Sequence, residues 1–224
     1  MKKAVCIISG GMDSALCAYI AKKVDNFEII ALHFNYGQRT QTRELKAFND
    51  ICDDLRVFKK VVLDVSFMKD IGASSLVDES MEISVNGENE GIVPNTYVPY
   101  RNGIFISIAT ALAEKEGASA IYLGVMEEDS SGYPDCTEEF IKKSETAINE
   151  GCKKDTFIKI ISPIIHANKD DIVKMALELK TPLHLTWSCY KNNDFACGVC
   201  DSCRLRLKGF KKANIEDEIF YMEN

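Results

Sequence analysis

The sequence holds no stretch of ~18 or more apolar residues, the length a membrane-crossing helix needs. It also lacks the opening of a secretion signal. After Met1-Lys2-Lys3 only Ala4 to Ile8 are apolar before a glycine turn, too few for a signal core, so a cytoplasmic location is expected. Basic residues are scarce: 27 Lys and Arg face 34 Asp and Glu, a formal charge of -7. Nucleic-acid-binding domains ordinarily show a clustered Lys/Arg excess, so no direct contact with nucleic acid is expected and a small-molecule substrate is favoured over a polymer. There is no internal repeat and no low-complexity tract. At 46% hydrophobic and 27% charged, the 224 residues have the balance of one folded core with an appendage.

Two nucleotide-binding signatures are also missing. Neither Gly-x-x-x-x-Gly-Lys nor Gly-x-Gly-x-x-Gly occurs, which argues against P-loop NTPases and dinucleotide enzymes. What stands instead is Ser9-Gly10-Gly11-Met12-Asp13-Ser14, between an apolar run and a helical pattern. In a strand, glycine turn, helix arrangement the backbone N–H groups and the helix dipole converge on one spot and stabilise an anion. Glycines at 10 and 11 let phosphate oxygens approach the main chain, and Ser9 and Ser14 add hydroxyl donors. Asp13 does not itself favour a phosphate; it would hold Mg²⁺ or an amide donor. Out of context, such a turn is more often a plain helix cap.

Short apolar runs alternate with amphipathic stretches, which predicts successive strand and helix units in a parallel sheet. Strands are expected at 4–8, 27–34, 57–65, 120–125 and 157–161, with helices at 14–24, 40–55, 104–116, 137–150, 168–179 and 201–212. The fold class is α/β, a Rossmann-like parallel sheet with helices on both faces, with a small C-terminal element. From 66 to 100 the pattern dissolves into Gly, Asn, Ser and Glu, and an unstructured connection of that length usually means a lid or binding loop. After Pro182 the composition shifts to Trp, Cys, Asn and Gly. The expected division is a nucleotide-binding body over 1–182 and a metal element over 183–224.

Nine cysteines without a secretion signal make a disulfide framework a poor reading. Five are scattered (Cys6, Cys17, Cys52, Cys136 and Cys152), whereas Cys189, Cys197, Cys200 and Cys203 crowd one polar segment. Their spacing suits a tetrahedral Zn²⁺ site, and with four thiolates no position is left open, so the zinc is expected to be structural. An iron–sulfur cluster fits the same donors, but nothing else in the sequence suggests electron transfer. His33 falls in the second strand, where a buried, hydrogen-bonded structural role is favoured over catalysis; His166 and His184 lie near expected loops with no visible partner, and none of the three is assigned a catalytic role.

The turn resembles the PP-loop of the ATP pyrophosphatase superfamily, enzymes that adenylate an oxygen of their substrate. Phe34 to Arg39 (Phe-Asn-Tyr-Gly-Gln-Arg), Tyr97 to Asn102 (Tyr-Val-Pro-Tyr-Arg-Asn), Ser131 to Cys136 (Ser-Gly-Tyr-Pro-Asp-Cys) and Thr186 to Tyr190 (Thr-Trp-Ser-Cys-Tyr) join it. With the cysteine cluster running into Asp201 to Arg206, the whole resembles the 7-cyano-7-deazaguanine synthase family across nearly the full chain. The resemblance implies an adenine nucleotide alpha hydrolase-like fold and an ATP-dependent carbon–nitrogen ligase of queuosine biosynthesis, a homodimer using Mg²⁺-ATP. Its substrates would be 7-carboxy-7-deazaguanine and ammonia. The carboxylate and then the amide would be adenylated in turn, giving the nitrile with AMP- or ADP-type nucleotide and phosphate or pyrophosphate.

On that resemblance the nucleotide-binding stretch is Ile8, Ser9, Gly10, Gly11, Met12, Asp13, Ser14, Ala15, Leu16, Cys17 and Ala18. Catalytic roles fall to Asp13, Ser14, Arg101 and Asp135. Asp135 would accept N–H donors of the base and Tyr133 would stack on it or bond to it, while Arg101, Arg39 or Lys169 would neutralise a carboxylate or phosphate. The stretch from Val125 to Ser131 is more acidic than the family pattern, so 126–131 receive no role. Lys2 stands where an N-terminal glutaminase would need Cys, so free ammonia or a separate partner is the expected nitrogen source. A tRNA thiolation enzyme and a non-catalytic adenine-nucleotide sensor with a zinc interaction module are the alternatives.

Overall fold

The computed structural model describes residues 2–85, 93–127 and 132–222. Residues 86–92 of the expected long loop, Ser131 of the Ser131–Cys136 segment, and 128–131 of the acidic stretch lie outside the described residues.

Five parallel strands form one sheet in the order β3-β2-β1-β4-β5: β1 (Lys3–Ile7), β2 (Glu28–Asn35), β3 (Lys59–Asp64), β4 (Ala120–Tyr122) and β5 (Lys159–Ile161). The helices are α1 (Met12–Lys23), α2 (Gln41–Leu55), α3 (Met68–Ile71), α4 (Arg101–Glu116), α5 (Glu138–Gly151), α6 (Lys169–Glu178) and α7 (Asp201–Ala213). Strand alternation sorts the core into two layers. Val5, Ile30, Leu32, Phe34 and Ile121 face α4 through Phe105, Ala109 and Ala113. Ala4, Cys6, Ile29, Ala31, Ala120 and Tyr122 face α1 and α2 through Ala15, Ala18, Tyr19, Phe48 and Ile51. Both faces are covered, which is why β1 and β2 read as continuous apolar runs.

The chain winds outward from β1 to β3 and then returns to β4 on the other side of β1. A crevice opens where the strand order reverses, at the carboxyl ends of β1 and β4. Gly124 enables it. A Cβ at Gly124 would stand 2.7 Å from the Ser14 backbone nitrogen, so the chain after β4 lies directly on the start of α1. For this reason β4 ends at Tyr122 rather than running to 125. Helix α4 departs from expectation in the other direction, beginning at Arg101 instead of 104. Tyr100 takes a left-handed φ of 54°, and the buried Asp135 carboxylate accepts the Asn102 backbone N–H at 2.9 Å, which satisfies a first-turn donor.

The described parts of the 66–100 connection are packed rather than loose. Leu76, Val77 and Val98 join the α4-side core, and Ser75 N–H donates to Asn95 O at 2.8 Å. Arg39 ties the same segment by donating from Nη2 to the Asp78 and Met81 carbonyls. Helix α7 lies on α6 so closely that a Cβ at Gly209 would meet Lys169 O at 2.8 Å. Among the described residues no helix is long and apolar enough to cross a membrane.

The C-terminal segment is fastened by Arg206, whose side chain is 1% exposed. It pairs with Asp217 through Nε at 2.7 Å and Nη2 at 2.9 Å, and donates to Thr186 Oγ1 at 2.7 Å and Leu183 O at 3.1 Å. Arg206→Ala leaves Asp217 buried without its cation, so a loss of about 3–5 kcal/mol is expected in urea unfolding. At the start of α4, Asp135→Ala is expected to cost about 1 kcal/mol by removing the acceptor for Asn102, and Asp135→Asn, which keeps an acceptor, less.

Candidate active site

The crevice holds a cavity of about 260 Å³. Ser9, Gly11, Asp13 and Ser14 form its floor. Gly10 has φ +97°, and a Cβ there would lie 2.7 Å from Glu44 O of α2, so only glycine fits. Gly11 precedes α1, and its N–H donates to Ser9 Oγ at 3.2 Å. The Ser14 hydroxyl donates to Gly11 O at 3.0 Å and accepts the Ser9 N–H at 3.2 Å, tying the turn to the helix it opens. From the stretch 8–18, Ile8, Met12, Ala15, Leu16, Cys17 and Ala18 are buried in the hydrophobic clusters behind this floor. They set the turn's position without lining the cavity.

Asp13 Oδ2 accepts from Lys169 Nζ at 2.7 Å, across from the first residue of α6. Its Oδ1 is buried with no protein donor among the described residues. A buried carboxylate oxygen without a donor, on a residue that lines the cavity, suits a hard divalent cation.

The opposite wall comes from Tyr36, Arg101, Asn102, Tyr133, Cys136 and Tyr190. Arg101 Nη1 donates to Tyr36 OH at 3.3 Å, and its guanidinium lies 5.5 Å from the Tyr36 ring centre. Burial works against the Arg101 charge, but Tyr36, Tyr190, Tyr133 and Asp135 outweigh it and raise its pKa. Burial pushes the Tyr36 hydroxyl up to about 12. The cavity thus keeps a fixed cation beside neutral phenols. Tyr133 OH shares a 2.5 Å hydrogen bond with Thr96 Oγ1.

The expected site residues are therefore only partly brought together. Asp13, Ser14, Arg101, Lys169 and Tyr133 share the cavity. Asp135 stands behind it at the start of α4, and Arg39 is turned to the 78–81 carbonyls. His33 is buried, with Nδ1 2.8 Å from Ile8 O, and burial lowers its pKa. His166 and His184 sit at the surface near Glu138 and Glu218. Reasoning from sequence missed Glu44, Gly124 and Asn102. Asn102 and Tyr36 sat inside quoted motifs, whereas Glu44 looks like any carboxylate on an amphipathic helix and is marked only by its contact with Gly10.

Beside the cavity, the sulfurs of Cys189, Cys197, Cys200 and Cys203 all lie within 4.8 Å of one another, and all four residues are buried. Backbone N–H groups of Lys191, Asn192 and Cys197 point at Cys189 Sγ, each at 3.4 Å, and that of Cys200 points at Cys197 Sγ at 3.3 Å. Such donors favour thiolate. Cys200 and then Cys203 hold Cys189 well below the ordinary thiol range, while Cys189 drives Cys200 up to about 12. Four thiols this close cannot all ionise unless a cation joins them, and the donor set is one that holds a metal ion. Trp187 continues this element to the turn, its backbone N–H donating to Gly10 O at 2.8 Å.

The queuosine biosynthesis protein QueC family model matches residues 3–214. The 7-cyano-7-deazaguanine synthase of Nautilia profundicola is 63% identical over 223 residues, covering 100% of both chains. That of Aliarcobacter butzleri is 61% identical over 222 residues, covering 99% of this chain and 96% of its own. Among solved structures, a predicted subunit of tRNA methyltransferase from Methanocaldococcus jannaschii has a TM-score of 0.50 at 20% identity, over 80% of this chain and 77% of that one, a likeness of fold. With a five-stranded α/β sheet, a glycine turn at its switch point and a family match spanning nearly its whole length, the chain belongs to the queuosine biosynthesis protein QueC family.

Proposed function

We propose that the chain is a 7-cyano-7-deazaguanine synthase, an ATP-dependent ligase that joins ammonia to 7-carboxy-7-deazaguanine and carries the product on to the nitrile. The observation that carries this reading is convergence: the Ser9–Ser14 turn, the Asp13–Lys169 pair and Arg101 face one cavity of a chain with full-length synthase relatives. A carboxylate oxygen leaves badly until it is esterified with AMP. Ammonia can then displace AMP to give the amide, and a second adenylation, on the amide oxygen, lets AMP depart again and leaves the nitrile.

The chain's own groups fit that sequence of steps. The open N–H groups at the start of α1 and the Ser9 hydroxyl stabilise charge growing on the departing pyrophosphate. Lys169 and Arg101 bring two cations to the same cavity, for phosphate and substrate carboxylate. Asp13 Oδ1 would hold Mg²⁺, which when bound draws charge from the phosphates. Tyr133 and Tyr36 offer ring faces for the flat base. The four cysteines would hold a structural Zn²⁺, fixing residues 183–224 against the nucleotide-binding body of 1–182. On this reading the chain works on small molecules without direct contact with nucleic acid, as a cytoplasmic homodimer.

Incubation with ATP, Mg²⁺, ammonium and 7-carboxy-7-deazaguanine is expected to release AMP and pyrophosphate only when the acid is present, with the nitrile as final product. ATP bound but never cleaved, or sulfur delivered to tRNA instead, would refute the reading. Ser14→Ala and Asp13→Asn are each expected to lower AMP formation by about 10²-fold or more while the protein still unfolds cooperatively in urea. Cys200→Ser is expected to lose bound zinc on metal analysis and to lower the unfolding midpoint; a zinc-free variant of full stability would show that the cluster is not structural.

A further inference from the structure

Among the described residues, two carboxylates line the cavity, and they are differently committed. Asp13 is ion-paired with Lys169 at 2.7 Å. Glu44 receives only neutral donors: the Thr40 hydroxyl at 2.7 Å on Oε1 and the Gln38 amide at 3.0 Å on Oε2. These two bonds leave lone pairs on each oxygen. Gln38 is itself held by Tyr36 N–H at 3.0 Å on its carbonyl, so the Glu44 side chain is locked in place. Its backbone oxygen lies where a Gly10 Cβ would be, which fixes Glu44 relative to the nucleotide turn.

The reaction proposed above has a protonation problem that this residue answers. At neutral pH the nitrogen source is mainly ammonium, which has no lone pair with which to attack a carbonyl carbon. From this placement we infer that Glu44 forms an ammonium-binding subsite and takes the proton that turns ammonium into the attacking ammonia. The inference rests on the synthase reading. A half-buried carboxylate draws the small cation into the cavity, and one N–H proton passes to a Glu44 oxygen. The freed nitrogen lone pair forms the C–N bond as the bond from carbon to the AMP oxygen breaks. That oxygen leaves with the electron pair and takes the second proton shed by nitrogen. Burial raises the Glu44 pKa, opposed by Thr40, Gln38 and the field of Arg101, which makes it a better proton acceptor than an exposed glutamate. Arg101 from α4 and Tyr36 after β2 are the charged and titratable groups that face it.

The test compares two nitrogen nucleophiles. Hydroxylamine is largely unprotonated at neutral pH and needs no base before it attacks, and its product is a hydroxamate that can be measured directly. In Glu44→Gln, exchange of pyrophosphate into ATP in the presence of the acid is expected to persist and hydroxamate formation to fall little. Ammonium-dependent amide and nitrile formation is expected to fall by about 10²-fold. Equal loss with both nucleophiles overturns the proposal. Should Glu44→Gln lose the exchange as well, Glu44→Asp is read by the same ratio. A selective loss of ammonium use supports the subsite, and an unchanged ratio overturns it. A wild-type enzyme that forms neither hydroxamate nor nitrile fails the synthase reading itself and takes this inference with it, so the two failures are told apart.

Discussion

Gly10 is the point at which three parts of this protein meet. Its positive φ turns the chain out of β1, the space its missing Cβ leaves is filled by Glu44 O of α2, and its own carbonyl receives the Trp187 N–H from the C-terminal segment. Any side chain at this position would have to push α2 away and break the left-handed turn at once. The same contact that permits the turn therefore sets the cavity walls. Gly124 does the equivalent on the other side, lying so close to the start of α1 that a Cβ would stand 2.7 Å from Ser14 N, while its neighbours Leu123 and Val125 line the cavity. The anion-binding geometry is thus a property of three packed elements rather than of the six-residue turn.

That packing creates an electrostatic cost which the cavity resolves internally. Lys169 and Asp13 neutralise each other at 2.7 Å with side chains 13% and 27% exposed. Arg101 has no equally close carboxylate among the described residues and is instead supported by phenols, whose burial keeps them neutral. A guanidinium held this way keeps its hydrogen-bonding capacity for an incoming anion, whereas one locked into a bidentate carboxylate pair would have spent it. Arg206 shows the contrast. It is spent on Asp217, Thr186 and Leu183, and its role is to anchor the chain.

Much of the fold was legible because parallel strands buried on both faces advertise themselves as apolar runs, as Ala4 to Ile8 and Phe27 to Phe34 do. The metal-competent cysteines were equally plain, since their spacing is a local quantity. Features set by distant contacts were hidden. Helix α4 starts three residues early because Asp135, far along the chain, accepts the Asn102 N–H. For the same reason Asp135 reads in the sequence as an acceptor open to the base, whereas in the fold its Oδ2 accepts the Asn102 N–H. The irregular 66–100 segment looked like a lid or binding loop because its composition is polar, and in its described parts Leu76, Val77 and Val98 dock on the α4 side of the sheet. Glu44 carried no signal at all, as its position against Gly10 exists only once α2 has packed.

The cysteine element shows how a small appendage can position the glycine turn. Its interior is built from Trp187, Ala196, Ile219 and four buried sulfurs, with Ala47 and Ile83 contributed by the main body. So few apolar groups bury too little surface to hold a segment of this length against its conformational entropy. Metal–thiolate bonds would supply the difference, since an ion held by all four donors would bind only where the folded segment gathers them. Through Trp187 N–H on Gly10 O, and through the Arg43 guanidinium 4.5 Å from the Trp187 ring centre, that stability is handed to the turn and to α2. The cysteine cluster and the glycine turn are chemically separate, and Trp187 links them mechanically through its backbone hydrogen bond to Gly10 and its ring contact with Arg43.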